Sequence, residues 1–169
     1  MTEADPLNAA AWKNLGHTQV FEGDLGPARK ALDRSLQLSP SQSSAAYYLC
    51  LASLLERRPA EALASAQRST ADVFRLVGAA MAHHDLGHAQ ESQRILDDMI
   101  ARFASSGPYQ IAEVYAWRGD RDRAFEWLEM ARERGDAGLL HTKVDPTLRG
   151  LHGDARWKPL LKSVNLPLD

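Results

Sequence analysis

Apolar residues recur three to four positions apart along most of this chain, which is the period of a helix with one packed face. In AAWKNLG, Trp12, Leu15 and Gly16 share such a face, and in ARKALDRSLQL so do Ala28 and Leu32. The pattern continues through Ala46, Leu49 and Cys50, then Ala62 and Ala66, then Leu76, Ala79 and Ala80. It resumes with Ser92, Leu96 and Met99, then Ile111, Ala112 and Tyr115, and finally Ala124, Leu128 and Ala131. Gly23, Gly87 and Gly119 interrupt it where a chain reversal is needed, because glycine takes the left-handed backbone that ends a helix at low cost. The pattern predicts paired helices in an all-α fold.

The pairs recur. Pro6 and Pro40 lie 34 residues apart, as do Ala28 and Ala62. Carrying that frame forward gives units near 9–42, 43–72, 73–104 and 105–135. The second is about four residues short, because QRSTADVF lacks proline punctuation. Gly16 and Ala28 are small where two helices must approach closely, and Pro40 follows a helix that it cannot continue.

These residues carry a resemblance. Trp12, Leu15 and Gly16, followed by Ala28 and Pro40, resemble the tetratricopeptide repeat (TPR) pattern W-x2-L-G-x2-Y, A-x3-F, P. Gln19 stands at the tyrosine position and Leu32 at the phenylalanine position. The resemblance covers roughly residues 6–134. It implies a right-handed superhelical solenoid of about four helix pairs, and the competing reading is a plain helical bundle. Residues 136–169 leave the repeat and read as a short helical C-terminal cap. Asp145 with Pro146, and Asp154, are its expected caps, and Pro159 is expected to open the last helix. From YQIAEVYAWRGD through VDPTLRGLHGDARWKPLL, the chain also resembles the C-terminal TPR region of bacterial multidomain signalling proteins. Residues 1–8 read as the end of a preceding repeat or a linker, with Pro6 at the closing position of a repeat. The chain is therefore expected to be a piece of a longer protein, against the alternative of a short natural protein with a frayed start.

Arg-Gly-Asp occurs twice, at 118–120 and 134–136. Gly119 sits five residues before a small helix residue, as Gly23 does before Ala28, so the first triplet reads as a turn with Asp120 capping the next helix. The second reads as another helix end. Neither is expected to be an adhesion signal.

Composition narrows the function further. Of 169 residues, 44% are hydrophobic and 25% charged, with a formal net charge of −2. That balance gives no electrostatic reason to expect nucleic acid as a partner. The first residues carry two acids and no apolar signal core, and the longest apolar runs are too short to span a bilayer. The expected setting is cytoplasmic, without membrane insertion. Cys50 is the single cysteine, so no intramolecular disulfide can form.

Candidate chemistry is sparse. His84 and His88 have the four-residue spacing of helical metal ligands, but Gly87 falls at a turn and removes His88 from the shared face. His83 takes a core position, and Cys50 reads as a structural thiol. No nucleotide-binding glycine loop or nucleophile elbow is present. No metal, cofactor or catalytic residue is assigned, and the chain is not expected to be an enzyme.

The resemblance instead implies a binding groove lined by the first helix of each pair. Transferred to this frame, its residues are Lys13, His17, Tyr47, Leu51, Leu54, Phe74, Val77, Met81, His84, Tyr109 and Glu113. An apolar groove suits a peptide or helix of a partner protein, and charge placed at Tyr47, Leu51 or Met81 is expected to abolish binding with helicity intact. Chaperone-tail capture is not expected, since only Lys13 matches the carboxylate clamp and His17, Tyr48, Phe74 and Gly78 occupy its other positions. The alternatives are self-association into a homodimer and a groove filled by the chain's own tail.

Overall fold

The computed structural model describes residues 8–168. The reading of the preceding residues as the end of a repeat, with Pro6, lies outside them apart from Asn8. Among the described residues every regular element is helical. Four helix pairs follow one another: α1 (Ala9–Glu22) with α2 (Leu25–Leu38), α3 (Ser43–Leu55) with α4 (Pro59–Gln67), α5 (Asp72–Asp85) with α6 (Ala89–Phe103), and α7 (Pro108–Trp117) with α8 (Arg121–Arg134). Two short 3-10 helices, Ala137–His141 and Pro146–Leu151, lead to α9 (Trp157–Ser163). The chain divides into two compact units, Met1–Ser92 and Gln93–Asp169, and the division falls inside α6.

All four pairs turn in the same way. Gly23, Arg57, Gly87 and Gly119 adopt φ of 86°, 61°, 78° and 80°. The next residue's N–H then bonds back over five residues: Asp24 to Gln19 O, Arg58 to Ser53 O, His88 to His83 O and Asp120 to Tyr115 O, at 2.8–3.0 Å. That left-handed residue and six-to-one bond together satisfy carbonyls that a helix end leaves open. Five residues beyond each turn stands a small, fully buried residue: Ala28, Ala62, Ser92 and Ala124. Four residues further, Leu32, Ala66, Leu96 and Leu128 are fully buried in their turn. Ser92 is the exception in chemistry. Its hydroxyl is inside the protein and donates to Ala80 O at 2.8 Å, so the polar atom is satisfied.

In the first unit the pairs lean on one another in series. α3 packs on both α1 and α2, and α5 on both α3 and α4. Close approach requires small residues. A Cβ on Gly16 would lie 2.5 Å from Leu32 Cγ, and one on Gly78 would lie 2.7 Å from Cys50 Sγ and 2.9 Å from Ala66 Cβ. A hydrogen bond repeats with the period of the sequence: Ser35 Oγ donates to Ala9 O at 2.8 Å, and 34 positions later Ser69 Oγ donates to Ser43 O at 3.2 Å. Arg29 of α2 also reaches the end of α3, donating to Ser53 Oγ at 2.8 Å and to Glu56 at 2.9 Å through Nε.

In the second unit α7 and α8 pair, and the C-terminal segment packs on them. Leu139, Leu148, Leu151, Trp157, Leu160 and Leu161 join Ala112, Phe125 and Leu128 in one core. Asp136 and Asp145 cap the two 3-10 helices, each accepting a backbone N–H two residues on at 2.8 Å. α9 opens at Trp157, two residues earlier than Pro159 suggests. Asp154 sets that turn by accepting from Arg156 N at 3.0 Å and from its guanidinium at 2.8 and 2.9 Å. Both Arg-Gly-Asp triplets are helix boundaries here: Gly119 and Gly135 have positive φ, and Asp120 accepts from Arg123 N at 3.2 Å.

Candidate functional site: an aromatic row across three helices

The predicted groove residues fall into two groups. Leu51, Leu54, Val77 and Met81 are buried in the first unit, with no more than 1% of their surface exposed, and Tyr47 keeps 4%. Tyr109 and Glu113 are buried in the second unit. Lys13, His17, Phe74 and His84 stay partly exposed. A charge at Tyr47, Leu51 or Met81 would therefore be a buried charge, which costs folding rather than binding alone. Those substitutions do not isolate a surface, contrary to the expectation of intact helicity.

The tail accounts for the burial of Tyr109. Its hydroxyl donates to Asp145 Oδ2 at 2.8 Å, and its backbone N–H donates to Asp136 Oδ2 at 3.2 Å. The ring lies so close to the first 3-10 helix that a Cβ on Gly138 would stand 2.5 Å from it. Burial, then the nearby carboxylates of Asp145 and Glu113, push the Tyr109 phenol well above its usual value. The hydroxyl is thus held protonated as a donor. In this unit α7 faces the chain's own C-terminal segment.

Several of the partly exposed residues of the first unit are aromatic and touch one another. His17 of α1 stacks on Tyr48 of α3, with centroids 4.3 Å apart and planes 15° from parallel. Phe21, one turn further along α1, meets His17 edge-on at 4.3 Å. Tyr48 touches Tyr47 at 5.4 Å, and Tyr47 stacks on Phe74 of α5 at 5.3 Å. Five rings therefore run without a gap across the first helices of three successive pairs. Phe21, His17, Tyr48 and Phe74 are each partly exposed, and Tyr47 is the buried link. Stacked and edge-on contacts of this kind hold one another in place.

The groove positions that the TPR resemblance implied include His17, Tyr47 and Phe74 of this row, and they do not include Phe21 or Tyr48. The available signal was Phe21 four residues after His17, and the Tyr47–Tyr48 doublet, which turns adjacent rings to different sides of one helix.

The histidine motif resolves differently. α5 ends at Asp85, Gly87 turns the chain, and His88 lies beyond the helix. His83 Nδ1 sits 3.2 Å from His88 Nδ1 with ring centroids 5.5 Å apart, so the rings meet nearly end to end. That is the geometry of an N–H···N bond. Among the described residues no cluster of three or more His, Cys, Asp or Glu could hold a metal ion, and no helix is long and apolar enough to cross a membrane. Cys50 is buried, which pushes its thiol up to about 12.

Compared with known proteins, the sequence matches no family model, and no curated protein matches it significantly.

Proposed function

We propose that the chain is a TPR-like solenoid acting as a protein-interaction module, and that it works by binding rather than by chemistry. Its contact surface is the ring row Phe21, His17, Tyr48 and Phe74, with Lys13 and His84 at its margins. The observation that carries this reading is the continuity of the rings across α1, α3 and α5. Supporting the repeat assignment are the common turn geometry of the four pairs and the serine bond repeated after 34 residues. Aromatic side chains supply large contact area at little entropic cost, which is why they dominate recognition surfaces. The test is a photo-crosslinking amino acid placed at Tyr48 and, as a control, at Lys30 on the exposed side of α2. A protein partner captured at position 48 and not at position 30 supports the reading. Equal capture at both positions, or capture at position 30 alone, contradicts it.

A further inference from the structure

The repeat supplies its own reference for each helix face. Counting 34 positions from α1 to α3 brings Leu15 onto Leu49, Gln19 onto Ser53 and Glu22 onto Glu56. In α3 these residues lie four and three apart on one stripe, and that stripe meets the preceding pair. Arg29 of α2 donates to Ser53 Oγ at 2.8 Å and through Nε to Glu56 at 2.9 Å. Leu49, on the same stripe, keeps 3% of its surface exposed.

In α1, the first described helix, the same stripe is open. Leu15 keeps 45% of its surface exposed, and Thr18 and Glu22 beside it are exposed. Gln19 Oε1 is shielded from water and accepts no hydrogen bond from any described residue, so it lacks the donor that Ser53 receives from Arg29. A face made for solvent closes a stack of helix pairs with polar groups, not with a leucine and an unsatisfied acceptor. The stripe lies across α1 from His17 and Phe21, so it is separate from the ring row.

We infer that this face of α1 receives a helix pair from another protein, built like α1–α2, whose second helix brings an arginine to Glu22 and Gln19 as Arg29 comes to Glu56 and Ser53. The occupant follows from the interface that the chain already contains. α3 rests on both helices of the preceding pair, so a single helix reproduces only part of that contact. A second copy of this chain has no free pair of this kind to offer from its first unit's start: its α2 is covered by α3, and its Arg29 is held by Ser53 and Glu56. Leu15 is the apolar anchor that docking buries, and Glu22 is the acidic half of an ion pair whose cation the partner supplies.

The experiment uses the whole chain and, as probe, a synthetic peptide of residues 8–42, which is the α1–α2 pair with the face of α2 left free. A peptide of residues 24–39 serves as the single-helix comparison. Binding is followed by titration calorimetry and by amide hydrogen exchange over residues 9–22 of the whole chain. The pair is expected to bind and to slow exchange there, and Leu15→Asp in the whole chain is expected to weaken it at least about tenfold, since docking would bury the new charge. Glu22→Arg is expected to weaken binding about two- to fivefold, and an Arg29→Glu peptide is expected to recover that loss, which a merely structural effect of the substitution does not do. Leu15 and Glu22 are exposed, so both variants are expected to keep the parent's circular dichroism and urea midpoint. The same residues 8–42 joined ahead of the whole chain by a flexible linker raise the local concentration of the pair, so that weak docking still registers as protection of residues 9–22. Silence in both forms, binding that survives Leu15→Asp, or no recovery on charge exchange overturns the inference. Equal affinity for the single helix overturns the helix-pair occupant. A concentration-dependent dimer of the whole chain that Leu15→Asp abolishes makes a second copy the occupant and overturns it too.

Discussion

Tyr109 of α7 donates its hydroxyl to Asp145, 36 residues later, and this bond fastens the C-terminal segment to α7. Asp145 is almost fully buried, and it also accepts the amide and hydroxyl of Thr147 at 2.8 and 2.7 Å. The buried carboxylate is thus held by three donors, which is what a charge away from water requires. Tyr109 and Glu113 are both buried, so neither of the groove positions expected in the second unit is exposed.

Removing one donor from that carboxylate leaves it under-satisfied. Tyr109→Phe keeps the ring against Gly138 and deletes only the hydroxyl. It is expected to destabilise the second unit by about 1–3 kcal/mol, the cost of a lost bond to a buried charged group. Urea denaturation measures the loss, and faster amide hydrogen exchange over residues 139–151 locates it.

Arg57 offers the opposite outcome. It holds φ 61° at the turn where Gly23, Gly87 and Gly119 stand in the other pairs. A side chain in the left-handed region costs roughly 1–2 kcal/mol, and the extra freedom of an unfolded glycine returns part of that. Arg57→Gly is therefore expected to raise stability by about 0.5–1 kcal/mol. Thermal unfolding of the two proteins checks this, and a lower midpoint for the variant contradicts it.

Two glycines with different surroundings make a paired test. Gly78 is wedged against Cys50 and Ala66, whereas a Cβ on Gly26 would meet nothing within 4 Å. Gly78→Ala is expected to cost about 1–3 kcal/mol through overpacking. Gly26→Ala, near the start of α2, is expected to gain up to about 1 kcal/mol from helix propensity. Denaturant midpoints of opposite sign relative to the parent protein confirm the contrast.

Burial of Cys50 sets an alkaline limit. Its thiol goes from 9.0 to about 12 in the folded chain. Below pH 9 both states hold the proton and stability is unaffected. Between pH 9 and 12 only the unfolded state releases it, so stability falls as pH rises. Tyr109, raised for the same first reason, adds to the loss above its ordinary value of 10. Urea midpoints from pH 8 to 11 are expected to decline, less steeply in Cys50→Ala. The thiol itself is expected to resist alkylation until the protein unfolds.

The helix pairs were legible because each turn is written locally. A left-handed residue, then a small residue five positions on, suffices to place a pair, and glycine announced three of the four turns. The second turn was hidden because Arg57 does glycine's work there. The tail's docking was not legible, since nothing local links Tyr109 to an aspartate 36 positions away. The ring row was half legible for a related reason. Phe21, His17, Tyr48 and Phe74 sit at different levels of their helices, and only the packing of α1, α3 and α5 brings them together with Tyr47. Position-by-position transfer from a repeat pattern treats each helix alone and does not anticipate contacts made across three of them.

The most direct test of the account is the affinity of Phe74→Ala and Tyr48→Ala for a partner captured at position 48, read alongside far-UV circular dichroism. The account predicts that each substitution weakens binding by about tenfold or more, as loss of an aromatic anchor does, while the helical signal is unchanged. Parent-level affinity in both variants would contradict it.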